Sequence, residues 1–219
     1  MDLQLVNLYK YNNENKRNFL INCIHNTYIP KSINNYTSFF SNAKYPYYKM
    51  SNFNHIKSGI IYDGLKYYST EHAFQAQKYI ESDRYRFSVN GDLGTWDGFK
   101  LVNNKDINYW KKKDNIGIIA KMATNIKIGK KLGLTINPNF NSTIDLWIDI
   151  LLLKYNKPEY KNIILNTGNL YLLEFDRGSQ LKGSKWGGII EDGILYGDNR
   201  MGFYHMIIRK LIRDKLKAI

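Results

Sequence analysis

Cysteine is nearly absent: Cys23 stands alone in 219 residues. One thiol excludes an internal disulfide framework and any cysteine-based zinc site, and with no basic or histidine cluster beside it in sequence it reads as inert. Prolines number only 4, and neither a repeat nor an interdomain linker interrupts the chain. No run of about 18 apolar residues occurs, and the opening residues are polar and asparagine-rich. The expectation is a soluble, cytoplasmic protein with no membrane partner. The four histidines, His25, His55, His72 and His205, form no HxH, HExxH or paired-aspartate pattern, so no metal is expected. A GxSxG elbow is missing as well, and Gly91, Gly94 and Gly98 do not make a GxGxxG dinucleotide fingerprint. No cofactor is expected.

Negative charge is also short: 19 acidic residues face 32 Lys and Arg, for a net charge of +13. That excess invites a phosphate or nucleic-acid partner. Against it, the lysines look scattered apart from Lys111-Lys112-Lys113 and Lys130-Lys131. The abundance of Asn, Lys, Ile and Tyr matches AT-rich codons, which would enrich lysine on a solvated surface without a partner.

What the chain does contain is an organised stretch, Tyr62 to Tyr79. Asp63-Gly64 is a tight-turn signal and Leu65 to Tyr68 suits a short strand. Ser69 or Thr70 can cap a following helix. Within that helix Glu71, Gln75 and Lys78 recur at i, i+4 and i+7 on one stripe, with the small Ala73 and Ala76, and Ile80, opposite. Two readings follow: a solvated Glu-Gln-Lys face, or a carboxylate, an amide and an amine aimed together at a ligand. Spacing does not choose between them.

Taken in order, residues 1–37 are poorly patterned, with a strand suggested by Leu3 and Leu5 and a polar loop over Tyr11 to Asn18. Thr37 to Phe53 is aromatic-rich, suited to a core or to stacking on a planar base. Residues 84–113, with Trp96 and Trp110, resemble an insertion. Ile116, Ile119, Met122, Ala123 and Ile126 predict one helix from Ile116 to about Leu132, stopped by Gly133. A second helix, from Ser142 or Thr143 to about Tyr155, is apolar nearly all round and reads as the central buried helix. A third starts at Pro158 and ends near Asn166-Thr167-Gly168. Leu170 to Phe175 reads as a strand, Ile189 to Tyr196 as a hairpin about Asp192-Gly193, and Asn199 to Leu216 as a closing helix with Met201, Tyr204, Ile207, Ile208, Leu211 and Ile212 inward. The predicted architecture is a single α+β domain, mainly helical, with small edge sheets or hairpins.

Several of these pieces together resemble the NADAR family, which includes the riboflavin-biosynthesis-intermediate N-glycosidases. Ser51-Asn52-Phe53, Tyr62-Asp63-Gly64, Glu71-His72 and Phe74-Gln75-Ala76-Gln77-Lys78 are similar to its N-terminal signature. Leu165-Asn166-Thr167-Gly168 and Leu172-Leu173-Glu174 are similar to its "Thr-Gly then Leu-x-Glu" segment. Trp186-Gly187-Gly188, then Gly197-Asp198-Asn199-Arg200-Met201-Gly202 and Arg209, are similar to its C-terminal pattern. The likeness implies an N-glycosidase domain over 38–219, with an insertion at about 84–113 and an extension before it.

The resemblance further implies hydrolysis of a C–N bond between a ribose phosphate and a base-like amine. The leading substrates are ribosylamino-pyrimidine phosphates, the reactive early riboflavin intermediates, whose removal prevents damage. The alternatives are removal of ADP-ribose from modified guanine or nucleic acid, and a non-catalytic nucleotide- or nucleic-acid-binding module. Cleavage of such a bond builds positive charge at C1′, which a nearby carboxylate stabilises or relieves by activating water. Glu71 sits at the family's glutamate. A first-turn position favours its ionised form while burial would oppose it, and that balance is open in the sequence. Lys78 would pair with a phosphate or attack C1′ as an amine. Asn52, Phe53, Gln75, Trp186, Gly187 and Asn199 are the candidate substrate contacts. Two positions depart from the pattern: Gly183 replaces the aspartate that usually precedes Trp-Gly, and a family tryptophan is replaced around Asn139-Phe140.

Overall fold

The computed structural model describes residues 33–103, 105–142, 144–178 and 184–217. The expectations for Leu3 and Leu5, for Tyr11 to Asn18, and for Cys23, His25, Thr143 and Gly183 lie outside the described residues. In chain order the elements are β1 (Tyr36–Phe39), β2 (Ile60–Tyr62), β3 (Leu65–Tyr67), α1 (Thr70–Ala76), α2 (Glu81–Arg84), α3 (Phe99–Val102), α4 (Asn108–Lys112), α5 (Ile118–Ala123), α6 (Ile126–Lys131), α7 (Ile144–Tyr155), α8 (Pro158–Asn166), β4 (Tyr171–Glu174), β5 (Ile189–Glu191), β6 (Ile194–Tyr196) and α9 (Arg200–Lys217). The class is α+β and mainly helical, and the described strands form three two-stranded sheets. No described helix is long and apolar enough to cross a membrane. By its internal contacts the chain groups into two compact units. One holds residues up to Ser51 and from Tyr155 onward; the other is Asn52–Lys154.

In the Asn52–Lys154 unit, β2 and β3 pair antiparallel, Ile60 opposite Tyr67 and Tyr62 opposite Leu65. Asp63 at φ 50° and Gly64 at φ 74° make the two-residue turn their types predict, since both must be left-handed for the strands to keep their twist. α1 packs against α5, β3 and the turn Tyr85–Phe87. Because neighbours lie on several sides, all seven of its residues are buried. Phe74 stacks on Trp147 of α7 with ring centres 3.9 Å apart, and Tyr79 on Phe87 at 5.3 Å.

Residues 84–113, the apparent insertion, pack into this unit: the Val89 N–H donates to the Lys66 carbonyl, and Leu93 is fully buried. A Cβ on Gly94 would fall 1.6 Å from the Ser88 carbonyl oxygen, so this close backbone approach requires glycine. One expectation changes in this unit: the helix expected over 116–132 is two, α5 and α6. Asn125 separates them, because its Oδ1 accepts from the N–H groups of Lys127 (3.0 Å) and Ile128 (3.4 Å) and starts a new helix. Ile126 is consequently 73% exposed rather than part of a core stripe. Gly133, at φ 70°, ends α6 as expected.

In the other unit β1, which periodicity did not predict, runs parallel to β4 with Tyr36 opposite Tyr171 and Phe39 opposite Glu174. A parallel pair needs a long crossover, so its partners are far apart in sequence. α9 packs on β4 and against α8, with Met201, Tyr204, Ile207, Ile208 and Ile212 buried. Asp192 and Gly193 turn the β5–β6 hairpin at φ 49° and 78°. α8 begins at Pro158 and ends before Gly168 at φ 54°. Carbonyls at that end are satisfied by arginines of α9. Arg209 Nη1 donates to Thr167 Oγ1 and the Leu170 carbonyl (2.8 Å each), and Arg213 donates to Asn169 Oδ1 and the Gly168 carbonyl. Burial, with Arg213 nearby, lowers the Arg209 pKa to about 10.

Candidate active site

α1 is fixed at its start by two sets of bonds, and a third ties the segment before it to the residues before α5. Ser69 is extended and its Oγ accepts from the His72 N–H at 3.1 Å, the N-cap its residue type predicts. The same hydroxyl lies 2.8 Å from His72 Nδ1, and His72 Nε2 lies 3.1 Å from the Leu93 carbonyl. A carbonyl only accepts, so Nε2 carries the hydrogen and Nδ1 accepts from the serine. Burial lowers the His72 pKa to about 4, so this imidazole is neutral and acts as a clamp. The Asn52 carbonyl then accepts from the Glu71 N–H at 3.1 Å, and Asn52 Oδ1 accepts from Thr70 Oγ1 at 3.1 Å. Finally the Gly117 N–H donates to the Phe53 carbonyl (3.0 Å) and the His55 N–H to the Asp114 carbonyl (2.8 Å). The segment bearing Asn52 and Phe53 is therefore tied both to the start of α1 and to the residues before α5.

The Glu71-Gln75 part of the stripe is not a solvated face. Glu71 is 6% exposed and Gln75 2%. Gln75 Nε2 donates to Glu71 Oε1 at 2.6 Å, while its own Oε1 is buried and accepts no hydrogen bond. Burial raises the Glu71 pKa; the Gln75 bond, Lys121 and Lys78 oppose it in that order. Burial therefore outweighs the groups that oppose it. The carboxyl is more basic than a surface glutamate.

Lys78 stands just beyond the helix, where i→i+3 bonds tighten the chain: Gln77 N–H to the Phe74 carbonyl, Lys78 to Gln75, Tyr79 to Ala76. Its carbonyl accepts from the Asn137 N–H at 2.8 Å. Its half-buried ammonium lies 5.3 Å from the ring centre of Phe74 and 6.0 Å from that of Phe140. Phe140 meets Phe74 edge-on at 5.9 Å. An aromatic residue, Phe140, thus faces Lys78. Burial lowers the Lys78 pKa, Glu71 raises it and Lys121 lowers it. Glu71 and Lys78 act on each other through space, with no ion pair within 4 Å between them.

Two residues at this site carried no sequence signal strong enough to single them out. Gly117 backs onto Glu71: a Cβ there would lie 2.7 Å from Phe53 Cα, 2.9 Å from Ser69 Oγ and 3.0 Å from Glu71 Cβ. Lys121 follows four residues later. A glycine opening an apolar helix was the available hint, and it names no partner.

The remaining predicted residues belong to the other unit. Trp186 is half-buried, edge-on to Tyr204 at 6.5 Å, with the Lys185 ammonium 5.4 Å from its ring centre. Gly187 is buried, and a Cβ there would lie 2.5 Å from the Glu174 carbonyl oxygen. Asn199 is fully buried at φ 46°. Its Oδ1 accepts from the Glu174 N–H (2.9 Å), and its Nδ2 donates to Tyr171 Oη (3.1 Å) and the Leu172 carbonyl (2.9 Å). That amide is committed to joining β4 to the start of α9. Among the described residues no group of three or more His, Cys, Asp or Glu is placed to hold a metal.

No protein-family model matches the chain, and no curated protein does. Among solved structures it is similar to the NMR structure of the E. coli protein YbiA, at 21% identity and a TM-score of 0.48, over 84% of this chain and 89% of that one. At that distance the likeness does not assign the chain to a family.

Proposed function

We propose that the protein is an N-glycosidase that hydrolyses the bond between C1′ of a ribose phosphate and a base-like nitrogen, with ribosylamino-pyrimidine phosphates as the leading substrates. The observation that carries this reading is the buried Glu71 carboxyl, hydrogen-bonded by Gln75 and beside the half-buried Lys78. A carboxyl of raised basicity, with one oxygen held by an amide, suits proton removal from an attacking water. The water oxygen bonds to C1′ as the C1′–N bond breaks, Glu71 takes the water's proton, and the departing nitrogen keeps the bond's electron pair. Ionised, the same carboxylate stabilises the positive charge that builds at C1′. Asn52, Phe53 and Gln75 are the proposed ligand contacts in this unit. Trp186 and Gly187 are carried forward from the family resemblance alone, and the committed amide of Asn199 suits positioning rather than contact.

Lys78 has two roles open to it. Charged, it pairs with a phosphate; neutral, its amine bonds to C1′ as the C1′–N bond breaks, the departing nitrogen keeps that electron pair and takes the proton the amine loses, and the sugar ring opens to a Schiff base that water hydrolyses. Burial lowers the Lys78 pKa and Glu71 opposes it, so both forms are available. The test is release of ribose 5-phosphate from freshly generated ribosylamino-pyrimidine phosphates, run beside ADP-ribosylated guanine, with borohydride to trap any Lys78 adduct. Glu71→Ala cleaving as fast as the unaltered protein would sink the mechanism. Salt-sensitive ligand binding with no turnover of either substrate would indicate a binding module instead.

A further inference from the structure

Lys121 belongs to none of the segments that carry the family resemblance, yet α5 brings it to the candidate site. The Gly117 face of this helix is pressed on α1, since a Cβ there would lie 3.0 Å from Glu71 Cβ. The Lys121 N–H donates to the Gly117 carbonyl at 3.1 Å, so Lys121 is one helical turn further on the same face. Its stem therefore leaves α5 near the side of the helix that packs on α1. Lys121 is exposed and Lys78 half-buried. The Lys121 side chain is in water, while the Lys78 ammonium lies against the rings of Phe74 and Phe140.

The charges here do not balance. Among the described residues neither lysine has a carboxylate within ion-pairing distance, and Lys121 acts on both Glu71 and Lys78 across space. Two cations flank one carboxyl whose burial favours its neutral form. Between Phe99 and Leu134 the chain carries nine lysines against two aspartates and no glutamate, and one of those aspartates, Asp114, pairs with His55 at 3.4 Å. An anion seated between Lys78 and Lys121 would cancel their repulsion without pairing off Glu71.

We infer that Lys121 and Lys78 form a two-ammonium anion site beside Glu71, and that the group it takes is a phosphate of the ligand. The identity of the ligand rests on the N-glycosidase reading; the site itself is testable without turnover. A sugar monophosphate and the diphosphate of ADP-ribose share this chemistry.

The experiment titrates the full-length protein at low salt with ribose 5-phosphate, ADP-ribose and neutral ribose, following heat or amide NMR shifts. It compares the unaltered protein with Lys121→Gln and with Lys112→Gln, an equal charge change at an exposed lysine of α4. The expected result is phosphate-dependent binding that Lys121→Gln weakens by about tenfold and Lys112→Gln changes by no more than about twofold. Lys121→Arg should recover most of it. Equal losses in the two glutamine variants, binding unchanged by Lys121→Gln, or no binding of ribose 5-phosphate at all would each overturn the inference. Binding that depends on Lys121 with no turnover of any ribosylated substrate keeps the anion site and ends the glycosidase reading. Turnover in which Lys121→Gln raises KM and leaves kcat nearly unchanged supports both; turnover with KM unmoved overturns the inference alone.

Discussion

At the scale of single residues, the candidate site keeps a titratable group where stability would prefer none. The folded-state pKa of Glu71 is raised by burial. Below the unfolded value the carboxyl is neutral in both states; as pH rises through the folded value, a buried charge must form and stability falls. Glu71→Gln keeps the shape and an amide partner for Gln75. It is expected to abolish turnover yet stabilise the protein by about 1 kcal/mol at pH 8, with the gain vanishing near pH 4. Thermal unfolding of both proteins at the two pH values checks this, and a variant less stable at pH 8 would contradict it. His72 has the opposite sign. Its pKa falls from 6.5 to about 4, so the unfolded chain binds the extra proton first and stability drops as pH falls through that window. The loss is about 3 kcal/mol by pH 4. In Glu-containing backgrounds the Glu71 contribution cancels, so the stability gap between the unaltered protein and His72→Gln should narrow by that amount between pH 7 and pH 4. Urea midpoints at each pH measure it; a constant gap would mean that His72 is charged in the fold.

At the scale of elements, the site depends on how closely α5 approaches α1. Gly117→Ala adds one methyl at 2.7 Å from Phe53 Cα and 3.0 Å from Glu71 Cβ. Backbone must move, at a cost of about 1–3 kcal/mol, and Glu71 moves with it. Activity should fall more than stability alone explains, seen as reduced kcat in a variant that remains folded at the assay temperature. Unchanged kcat would mean that the contact is only packing. This contact also shows what was legible beforehand. The turns at Asp63-Gly64 and Asp192-Gly193, a cap at Ser69 or Thr70 and the stop at Gly133 were read from sequence, because each depends on one or two local torsions or a single short hydrogen bond. The β1–β4 pair was not, since its partners are joined by over a hundred residues and nothing local specifies a parallel register. The break at Asn125 was missed because the apolar spacing runs on through it, while the capping amide decides. Periodicity placed Glu71, Gln75 and Lys78 on one stripe, but burial of that stripe comes from α5 and the Tyr85–Phe87 turn, which no helical repeat reports.

At the scale of the whole molecule, the charge of +13 is unevenly spread, and the stretch from Phe99 to Leu134 supplies +7 of it, nine lysines less two aspartates. Nearly all of these lysines are exposed. In sequence they are scattered; on the fold, those of α3 to α6 belong to one unit, and α5, which carries Lys121, packs on α1. Such a surface attracts any polyanion, so nucleic-acid binding alone would not identify the substrate, but its salt dependence would. A contact with six or more phosphates loses about 10³-fold or more in affinity between 50 and 200 mM salt, through release of counterions. A ribose phosphate held by two ammonium groups has little counterion atmosphere to release, so its kcat/KM should fall by less than about tenfold over the same range. Measuring single-stranded DNA affinity beside small-substrate kcat/KM at both salts separates the two cases. If turnover of a ribosylated base within DNA tracks the steep binding curve and exceeds that of the free ribose phosphate at low salt, the lysine-rich stretch is part of substrate recognition. If DNA binds steeply but is never turned over, and the small ester is cleaved at both salts, the surplus charge is an electrostatic surround and the chemistry belongs to Glu71 and its neighbours.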